Sequence, residues 1–281
     1  MRPQIIRSLA ELRVVVAGWK AAGETVGVVP TMGALHSGHL SLVRAAKEAC
    51  DRAIVTIFIN PKQFDNPADY ENYPRTEEED ARKLISLKAD VVYVPDGTQM
   101  YPTGFATTVS VSGISEGLCG AHRSGHFDGV ATIVTKLFTQ TQADRAYFGE
   151  KDYQQLQIVT RLARDLDLPI EVVGCPTIRE EDGLAMSSRN LLLSGRARTW
   201  APELKRAMEE MSEGLLAGGD LDALRASTIA RIKRAGFTEV EYLDLRAADN
   251  LELLDSPERP ARILAAAWLA GVRLIDNIAV V

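Results

Sequence analysis

The first two-thirds of the chain alternate between short runs of β-branched and aromatic residues and longer stretches whose apolar residues recur every three or four positions. The short runs are typical of strands buried on both faces, and the longer stretches are typical of amphipathic helices. The pattern predicts strands at 25–29, 53–59, 91–94, 107–111, 145–148 and 170–174. It predicts helices at 40–50, 77–87, 129–140 and 153–165. This alternation favours an α/β fold, in which helices cover a parallel sheet.

The pattern changes near Asn190. Two helical stretches and three strand-like runs follow, the helices at 196–216 and 221–235 and the strands at 239–245, 262–269 and 272–281. Helices followed by strands are typical of an α+β arrangement. The sequence therefore predicts a larger α/β domain over 1–184 and a smaller α+β domain over 185–281.

The composition is that of an ordinary globular protein. The 281 residues are 46% hydrophobic and 25% charged, with a formal net charge of −6. There is no basic run, no apolar run near the roughly 20 residues that span a bilayer, and no signal-peptide core. Cys50, Cys119 and Cys175 are far apart and odd in number, which argues against a disulfide framework or a zinc motif. We expect a cytoplasmic protein with packed cysteines and no nucleic-acid or membrane partner.

Two histidines, His36 and His39, stand between the first predicted strand and the first predicted helix. In an open α/β sheet this turn lies at the carboxyl edge, where ligands bind, and the helix N-terminus favours anions. The position suits a phosphate group, above all an α-phosphate on which charge builds during reaction. The alternative is two ordinary surface histidines. A metal site is less favoured, because His122 and His126 lie in a distant loop.

Two further segments follow predicted strands and should face the same crevice. In the first, Gln63 offers one acceptor and two donors, which suit a hydroxyl or carboxylate, although Asn60-Pro61 is turn chemistry by itself. In the second, Lys151 can act as a point charge on phosphate or be a solvated surface lysine. Asp152 can cap the next helix or hold Mg²⁺ together with a polyphosphate, and Gln155 lies near the same helix end.

The loop Met186–Asn190 carries a third group of polar side chains. Ser187, Ser188 and Arg189 form a donor cluster that suits the β- and γ-phosphates, as a lid over a nucleotide. The alternative is a polar linker between domains. In the loop before the helix at 129–140, a role for Arg123 is favoured over one for His126.

An enzyme built from these parts would have no nucleophile of its own. No Ser–His–Asp or Cys–His arrangement and no Gly-x-x-x-x-Gly-Lys phosphate loop is evident in the sequence. It would bring two substrates together and stabilise a pentacovalent phosphorus. Two alternatives stay open: a nucleotidyltransferase that adenylylates a phosphorylated alcohol or mononucleotide, and a non-catalytic nucleotide-binding module. An aminoacyl-tRNA synthetase is disfavoured, because the chain is short and acidic and has no evident tRNA-binding domain.

Six runs closely resemble the pantothenate synthetase (pantoate–β-alanine ligase) family, and order and spacing match that family from about residue 5 to residue 195. They are Pro30–His39, Asn60–Phe64, Tyr73–Arg75, Arg123–Phe127, Phe148–Gln155 and Asp182–Asn190. The resemblance implies that D-pantoate and ATP form pantoyl adenylate, which the amine of β-alanine then attacks, with Mg²⁺ accompanying the ATP. It also implies a Rossmann-like catalytic domain that binds ATP and pantoate, a C-terminal lid domain and a homodimer.

The resemblance also assigns site residues. His36, His39, Lys151 and Arg189 would be catalytic, with His39 the proton donor. Gln63 and Gln155 would hold pantoate, with Asn60 and Arg123 beside them, and Asp152 would meet ATP-bound magnesium. The residues expected to contact ATP are Met32, Gly33, Ala34, Leu35, His36, Ser37, Gly38, His39, Gly149, Glu150, Lys151, Asp152, Ile178, Met186, Ser187, Ser188 and Arg189. Two positions depart from the family pattern: Lys62 replaces an apolar residue, and Ile178 replaces a valine.

Overall fold

A computed structural model describes residues 2–280. Within that range the chain forms nine strands: β1 (Gln4–Ile6), β2 (Val26–Thr31), β3 (Arg52–Ile57), β4 (Val91–Tyr93), β5 (Arg145–Gly149), β6 (Glu171–Cys175), β7 (Glu239–Ala247), β8 (Ala261–Leu269) and β9 (Val272–Val280). The helices are α1 (Leu9–Ala21), α2 (Ser37–Ala49), α3 (Pro67–Glu71), α4 (Glu77–Ile85), α5 (Gly97–Met100), α6 (Cys119–His122), α7 (His126–Thr141), α8 (Tyr153–Asp165), α9 (Gly195–Trp200), α10 (Glu203–Leu216) and α11 (Leu221–Arg234). Three short 3₁₀ turns lie at Pro61–Gln63, Glu150–Asp152 and Ser188–Leu192.

The first six strands form one parallel sheet in the order β1-β4-β3-β2-β5-β6. The chain builds outward from β2 through β3 and β4, then returns to add β5 on the other side of β2. This reversal makes a topological switch point between β2 and β5. In open α/β sheets the crevice at the carboxyl ends of such strands is where ligands bind.

Helices cover both faces of this sheet, which explains the continuous apolar runs of its strands. Val28 and Ile54 face a core that they share with α1, α7 and α8. Their neighbours Val29 and Val55 face the opposite way, onto α2 and α4. The predicted α/β architecture is therefore confirmed.

The last three strands form a separate antiparallel sheet in the order β7-β8-β9. Its apolar face packs on α10 and α11 around Met208, Met211 and Ile232, which are fully buried. Leu184 also packs into this second core. The predicted smaller α+β unit is thus present.

Most predicted elements are confirmed to within a few residues, but two predictions are wrong. The segment 107–111 forms no strand: Val109 N–H donates to Thr132 Oγ1 on α7 (3.0 Å), which ties the segment to a helix instead of a neighbouring strand. The predicted helix at 196–216 is divided into α9 and α10, because Pro202 has no N–H to continue the first helix.

β1 and α1 were not among the predicted elements. The sequence does carry a signal for α1, since Ser8 and Glu11 have the spacing of a capping box, and Ser8 Oγ accepts the N–H of Glu11 (3.2 Å). None of the helices described in residues 2–280 is long and apolar enough to cross a membrane.

Candidate active site

A cavity of about 250 Å³ opens at the carboxyl ends of β2 and β5, at the switch point. It adjoins a second cavity of about 380 Å³ between the two sheets, and Lys151, Asp152 and Arg189 line both. The first cavity brings together most of the predicted site residues, contributed by six separate stretches of the chain. They are Met32, His36, Gly38, His39, Asn60, Gln63, Arg123, Gly149, Lys151, Asp152, Gln155, Ile178, Met186, Ser187, Ser188 and Arg189.

The segment Met32–His39, here called the histidine turn, is held from below by a buried carboxylate. Asp80 on α4 accepts the N–H groups of Ala34 (2.9 Å) and Leu35 (2.8 Å). Gly33 has φ +84°, and a Cβ there would lie 3.2 Å from Asp80 Oδ2, so glycine fits both the backbone conformation and the close approach. The turn that carries the histidines is therefore fixed by α4 as well as by β2.

The two histidines cap the N-terminus of α2. His36 Nδ1 accepts the N–H of Gly38 (3.2 Å), and His39 Nδ1 accepts the N–H of His36 (3.4 Å). Their ring centroids are 4.1 Å apart. A neutral imidazole that accepts at Nδ1 carries its proton on Nε2. Each ring therefore keeps one N–H donor beyond the bond that orients it.

Burial keeps both histidines uncharged. Burial and then the nearby Lys151 lower the pKa of His36. Burial and then the neighbouring His36 lower the pKa of His39 to about 3. At neutral pH both rings are hydrogen-bond donors without charge, which bears on the proton-donor role expected of His39.

The opposite side of the cavity, here called the cationic wall, consists of Lys151, Ser187, Ser188 and Arg189. Lys151 lies on the 3₁₀ turn after β5, and its Nζ is 3.7 Å from Asp152 Oδ1. Burial would raise the pKa of Asp152, but Lys151 and Arg189 outweigh it and hold that pKa below its usual value. The Asp152 carboxylate is thus ionised at neutral pH, whereas the histidine turn is neutral.

A third part of the cavity, here called the amide corner, is formed by the side chains of Asn60 and Gln63. Asn60 Nδ2 donates to Gln63 Oε1 (3.1 Å) and to the carbonyl of Gly129 (3.1 Å), while Asn60 Oδ1 accepts the hydroxyl of Tyr101 (2.7 Å). A Cβ on Gly129 would lie 2.2 Å from the carbonyl oxygen of Lys62, so α7 approaches this corner as closely as a backbone can. With its oxygen occupied, the Gln63 amide donates from Nε2 to Met32 Sδ (3.0 Å), and both residues line the cavity.

His126 and Arg123 hold the backbone of Gln63. His126 Nδ1 lies 2.8 Å from the Gln63 carbonyl, and Arg123 Nη2 donates to the same oxygen (3.2 Å). Burial and then Arg123 lower the pKa of His126 to about 4. The neutral ring therefore donates from Nδ1 to the carbonyl and accepts from Arg123 Nη1 at Nε2 (3.1 Å). The sequence favours a role for Arg123 over one for His126, but His126 also takes part in this hydrogen-bond network.

Five of the residues expected to contact ATP do not line the cavity: Gly33, Ala34, Leu35, Ser37 and Glu150. The N–H groups of Ala34 and Leu35 donate to Asp80, and that of Gly33 donates to Thr31 Oγ1 (3.1 Å). Ser37 is exposed, and Glu150 is 3.2 Å from Arg262. Lys62 points away from the cavity, with its Nζ 5.2 Å from the ring centroids of both Tyr101 and Phe105.

Two residues that shape the site were not among the predicted ones. Asp80 belongs to an acidic first turn of α4 that solvation alone would explain, yet it is fully buried. Asn277 lies on β9, far along the chain, and donates to the carbonyl oxygens of Glu150 and Lys151. Neither carries a signal in the sequence, because each acts through the backbone of another segment.

The described residues 2–280 contain no group of three or more His, Cys, Asp or Glu side chains that could hold a metal ion. Asp152 is the predicted metal contact, and its carboxylate lies beside Lys151 in the lining of the cavity. A divalent cation at this site would therefore take most of its ligands from a polyphosphate and water.

The parallel sheet, its switch-point cavity and the neutral and cationic donors around it define an α/β enzyme with a site for an anionic, phosphate-bearing substrate. A family model described as pantoate-beta-alanine ligase matches residues 4–279. The chain belongs to the pantoate–β-alanine ligase family, and it is a ligase. The family expected from the sequence motifs is thus confirmed.

Individual relatives agree over the whole length. A pantothenate synthetase from Roseobacter denitrificans is 64% identical over 99% of this chain and 98% of its own length. The crystal structure of pantothenate synthetase from Thermus thermophilus matches with a TM-score of 0.89 and 43% identity over 99% of both chains. The pantoate-beta-alanine ligase from Francisella tularensis, complexed with beta-gamma ATP and beta-alanine, matches with a TM-score of 0.83 and 33% identity, over 99% of this chain and 97% of that one.

Proposed function

We propose that this enzyme condenses D-pantoate with β-alanine through an enzyme-bound pantoyl adenylate, converting ATP into AMP and diphosphate. The observation that carries the proposal is the make-up of one cavity. It combines two neutral imidazole N–H donors, a lysine and an arginine, and the amides of Gln63 and Gln155. Phosphate-directed donors beside amides suit a nucleotide next to a small hydroxy acid.

In the first step a carboxylate oxygen of pantoate attacks the α-phosphorus of ATP. The bond from that phosphorus to the bridging oxygen breaks, and diphosphate leaves with the electron pair. Lys151, Ser187, Ser188 and Arg189 stabilise the departing diphosphate, and the Nε2–H groups of His36 and His39 stabilise the negative charge on the α-phosphate oxygens. No protein nucleophile is needed, because the substrate supplies it.

In the second step the free amine of β-alanine attacks the acyl carbon of the adenylate. The bond from that carbon to the phosphate oxygen breaks, AMP leaves, and the amine loses a proton. Gln63 and Gln155 hold the pantoyl group, Asn60 orients the Gln63 amide, and Arg123 and His126 fix the Gln63 backbone. Closure of the cavity excludes water, which would otherwise hydrolyse the adenylate.

The nucleotide lies along the switch point, against Met32, Gly38, Gly149, Ile178 and Met186. A bound Mg²⁺ would neutralise charge on the diphosphate portion of ATP. Asp152 fits that role as a single carboxylate beside the cationic wall, and it stays ionised at neutral pH.

The proposal extends to the two domains and to the oligomeric state. Residues 1–184 form the Rossmann-like domain that binds ATP and pantoate, and residues 185–281 form a lid domain of a cytoplasmic homodimer. Sedimentation velocity tests the dimer. Hydrogen exchange at 186–190, with and without ATP, tests the lid, because protection should increase as the loop closes.

The deciding experiment measures diphosphate release from ATP by purified protein. Sustained release and AMP formation are expected only with pantoate and β-alanine both present. Release without pantoate but with a phosphorylated alcohol or mononucleotide would instead assign the chain to the nucleotidyltransferases. ATP binding without any release would support the non-catalytic alternative.

A further inference from the structure

A buried asparagine of the second sheet contacts the turn that carries Lys151. Asn277 on β9 donates from Nδ2 to the carbonyl oxygens of Glu150 (2.8 Å) and Lys151 (3.0 Å). Its Oδ1 accepts from Arg262 Nε (2.8 Å), so the amide is fully hydrogen-bonded. The 3₁₀ turn that carries Lys151 is therefore attached to a strand of the other sheet.

The preceding residue on the same strand holds the other half of the wall. Asp276 accepts two hydrogen bonds from Arg179, at 2.7 and 2.9 Å, and its side chain is almost wholly buried. Arg179 also donates to the carbonyl of Gly183 (3.1 Å) and pairs with Ala185 across a β-bridge. This small hairpin leads directly into Met186–Arg189.

Two adjacent residues of β9 thus fix two segments that lie far apart in sequence. The turn with Lys151 and the loop with Arg189 both line the cavity, and the same strand holds the backbone that carries each of them. Side-chain amides and carboxylates that bond backbone or guanidinium groups in a buried setting give fixed geometry. Loss of either would leave the cations present but free to shift.

We propose that Asn277, with Asp276 beside it, is a positioning residue for the ligase reaction: it holds Lys151 at the place where the diphosphate of ATP binds. The inference rests on the proposed contact between Lys151 and ATP. It assigns to the C-terminal sheet a part in adenylation that is separate from covering the cavity.

A double-mutant cycle tests this. Asn277→Ala, Lys151→Ala and the double variant are compared by kcat/KM for ATP in diphosphate release. Asn277→Ala alone should lose about 10²-fold, a loss that a misplacement of about 1 Å is able to cause. In the Lys151→Ala background the same substitution should cost less than about threefold. Equal losses in both backgrounds would mean a general structural role and overturn the proposal.

Further variants keep the outcomes distinct. Asn277→Asp is nearly isosteric, keeps the acceptor for Arg262 and removes both donors, so it should reproduce the loss if the alanine variant unfolds. Asn250→Ala removes an asparagine from a turn of the same domain that lines neither cavity, and it should leave activity unchanged. If Lys151→Ala has normal activity, the assigned role of Lys151 itself fails; if only Asn277→Ala has normal activity, the positioning role fails alone.

Discussion

The histidine turn and the cationic wall face each other across one cavity, but they are held in different ways. The turn is fixed locally, by α2, β2 and the buried carboxylate of Asp80, and its imidazoles are neutral. The wall consists of charged and hydroxyl side chains on a 3₁₀ turn and a loop, held from behind by β9. The histidine turn thus provides fixed, neutral hydrogen-bond donors. The cationic wall provides charged groups on segments that the second sheet holds in place.

The difference matches the two ends of the proposed adenylation. At the α-phosphorus, rigid neutral donors can stabilise charge as it develops without binding the substrate too strongly beforehand. At the diphosphate, the charge is already large and increases as the group leaves, so cations are required there. A loop is also the place where a cavity can open to release product.

The largest effect should come from the wall. Lys151→Ala removes one of the cations that line both cavities and should lower kcat/KM for ATP by about 10²- to 10³-fold, the range for losing one electrostatic stabiliser. Steady-state diphosphate release measures it, with Lys233→Ala on the exposed surface of α11 as the control. Near-normal turnover with an unchanged melting temperature would remove Lys151 from the mechanism.

The next largest effect is expected at Asp80, which holds the histidine turn. Asp80→Asn keeps the shape but turns an NH₂ group toward backbone N–H donors, so it should lower the free energy of unfolding by about 3 kcal/mol. Activity should fall as well, because the turn carries His36 and His39. Urea denaturation measures the loss, with the exposed Glu78→Gln on the same helix turn as the control. A stability equal to that of the control would show that the carboxylate is dispensable.

Two residues that hold the site, Asp80 and Asn277, could not be predicted from the sequence. The parallel sheet, the helices and the cavity residues on either side follow from apolar periodicity and from polar side chains at strand ends, and the family follows from the motifs. Asp80 looks like one more solvated acid, and Asn277 lies more than a hundred residues from the turn that it holds. Contacts between a side chain and a distant backbone depend on packing between elements, which local patterns do not encode.

The side-chain amide of Gln155 should affect the use of a different substrate, pantoate. Gln155→Ala should lower kcat/KM for pantoate by about 10- to 50-fold and change that for ATP much less, because the side chain offers hydrogen bonds to the hydroxy acid rather than charge to phosphate. Gln157→Ala, on the same helix but lining neither cavity, is the matched control. An unchanged pantoate dependence would contradict the assignment.

The neutral histidines should also appear in the pH dependence of stability. Burial lowers the pKa of His39 to about 3 and of His126 to about 4, so the unfolded chain binds protons first as the pH falls below about 6.5. Each histidine then costs about 1.4 kcal/mol of stability per pH unit. His126→Gln should flatten the fall between pH 6.5 and 5, whereas replacing Gln157, which does not titrate, should not. Parallel curves for both variants would show that His126 titrates normally.

The smallest effect is expected at Lys62, where the family resemblance predicts an apolar residue. Its ammonium lies over Tyr101 and Phe105 and lines neither cavity, so the charge belongs to the outer side of the amide corner. Lys62→Met should leave kcat and the KM for pantoate within about twofold and lower stability by at most about 1 kcal/mol, the size of an exposed cation–π contact. A large change in the KM for pantoate would mean that Lys62 moves into the cavity during the reaction. Its charge would then lie beside the amides of Asn60 and Gln63 when substrate is bound.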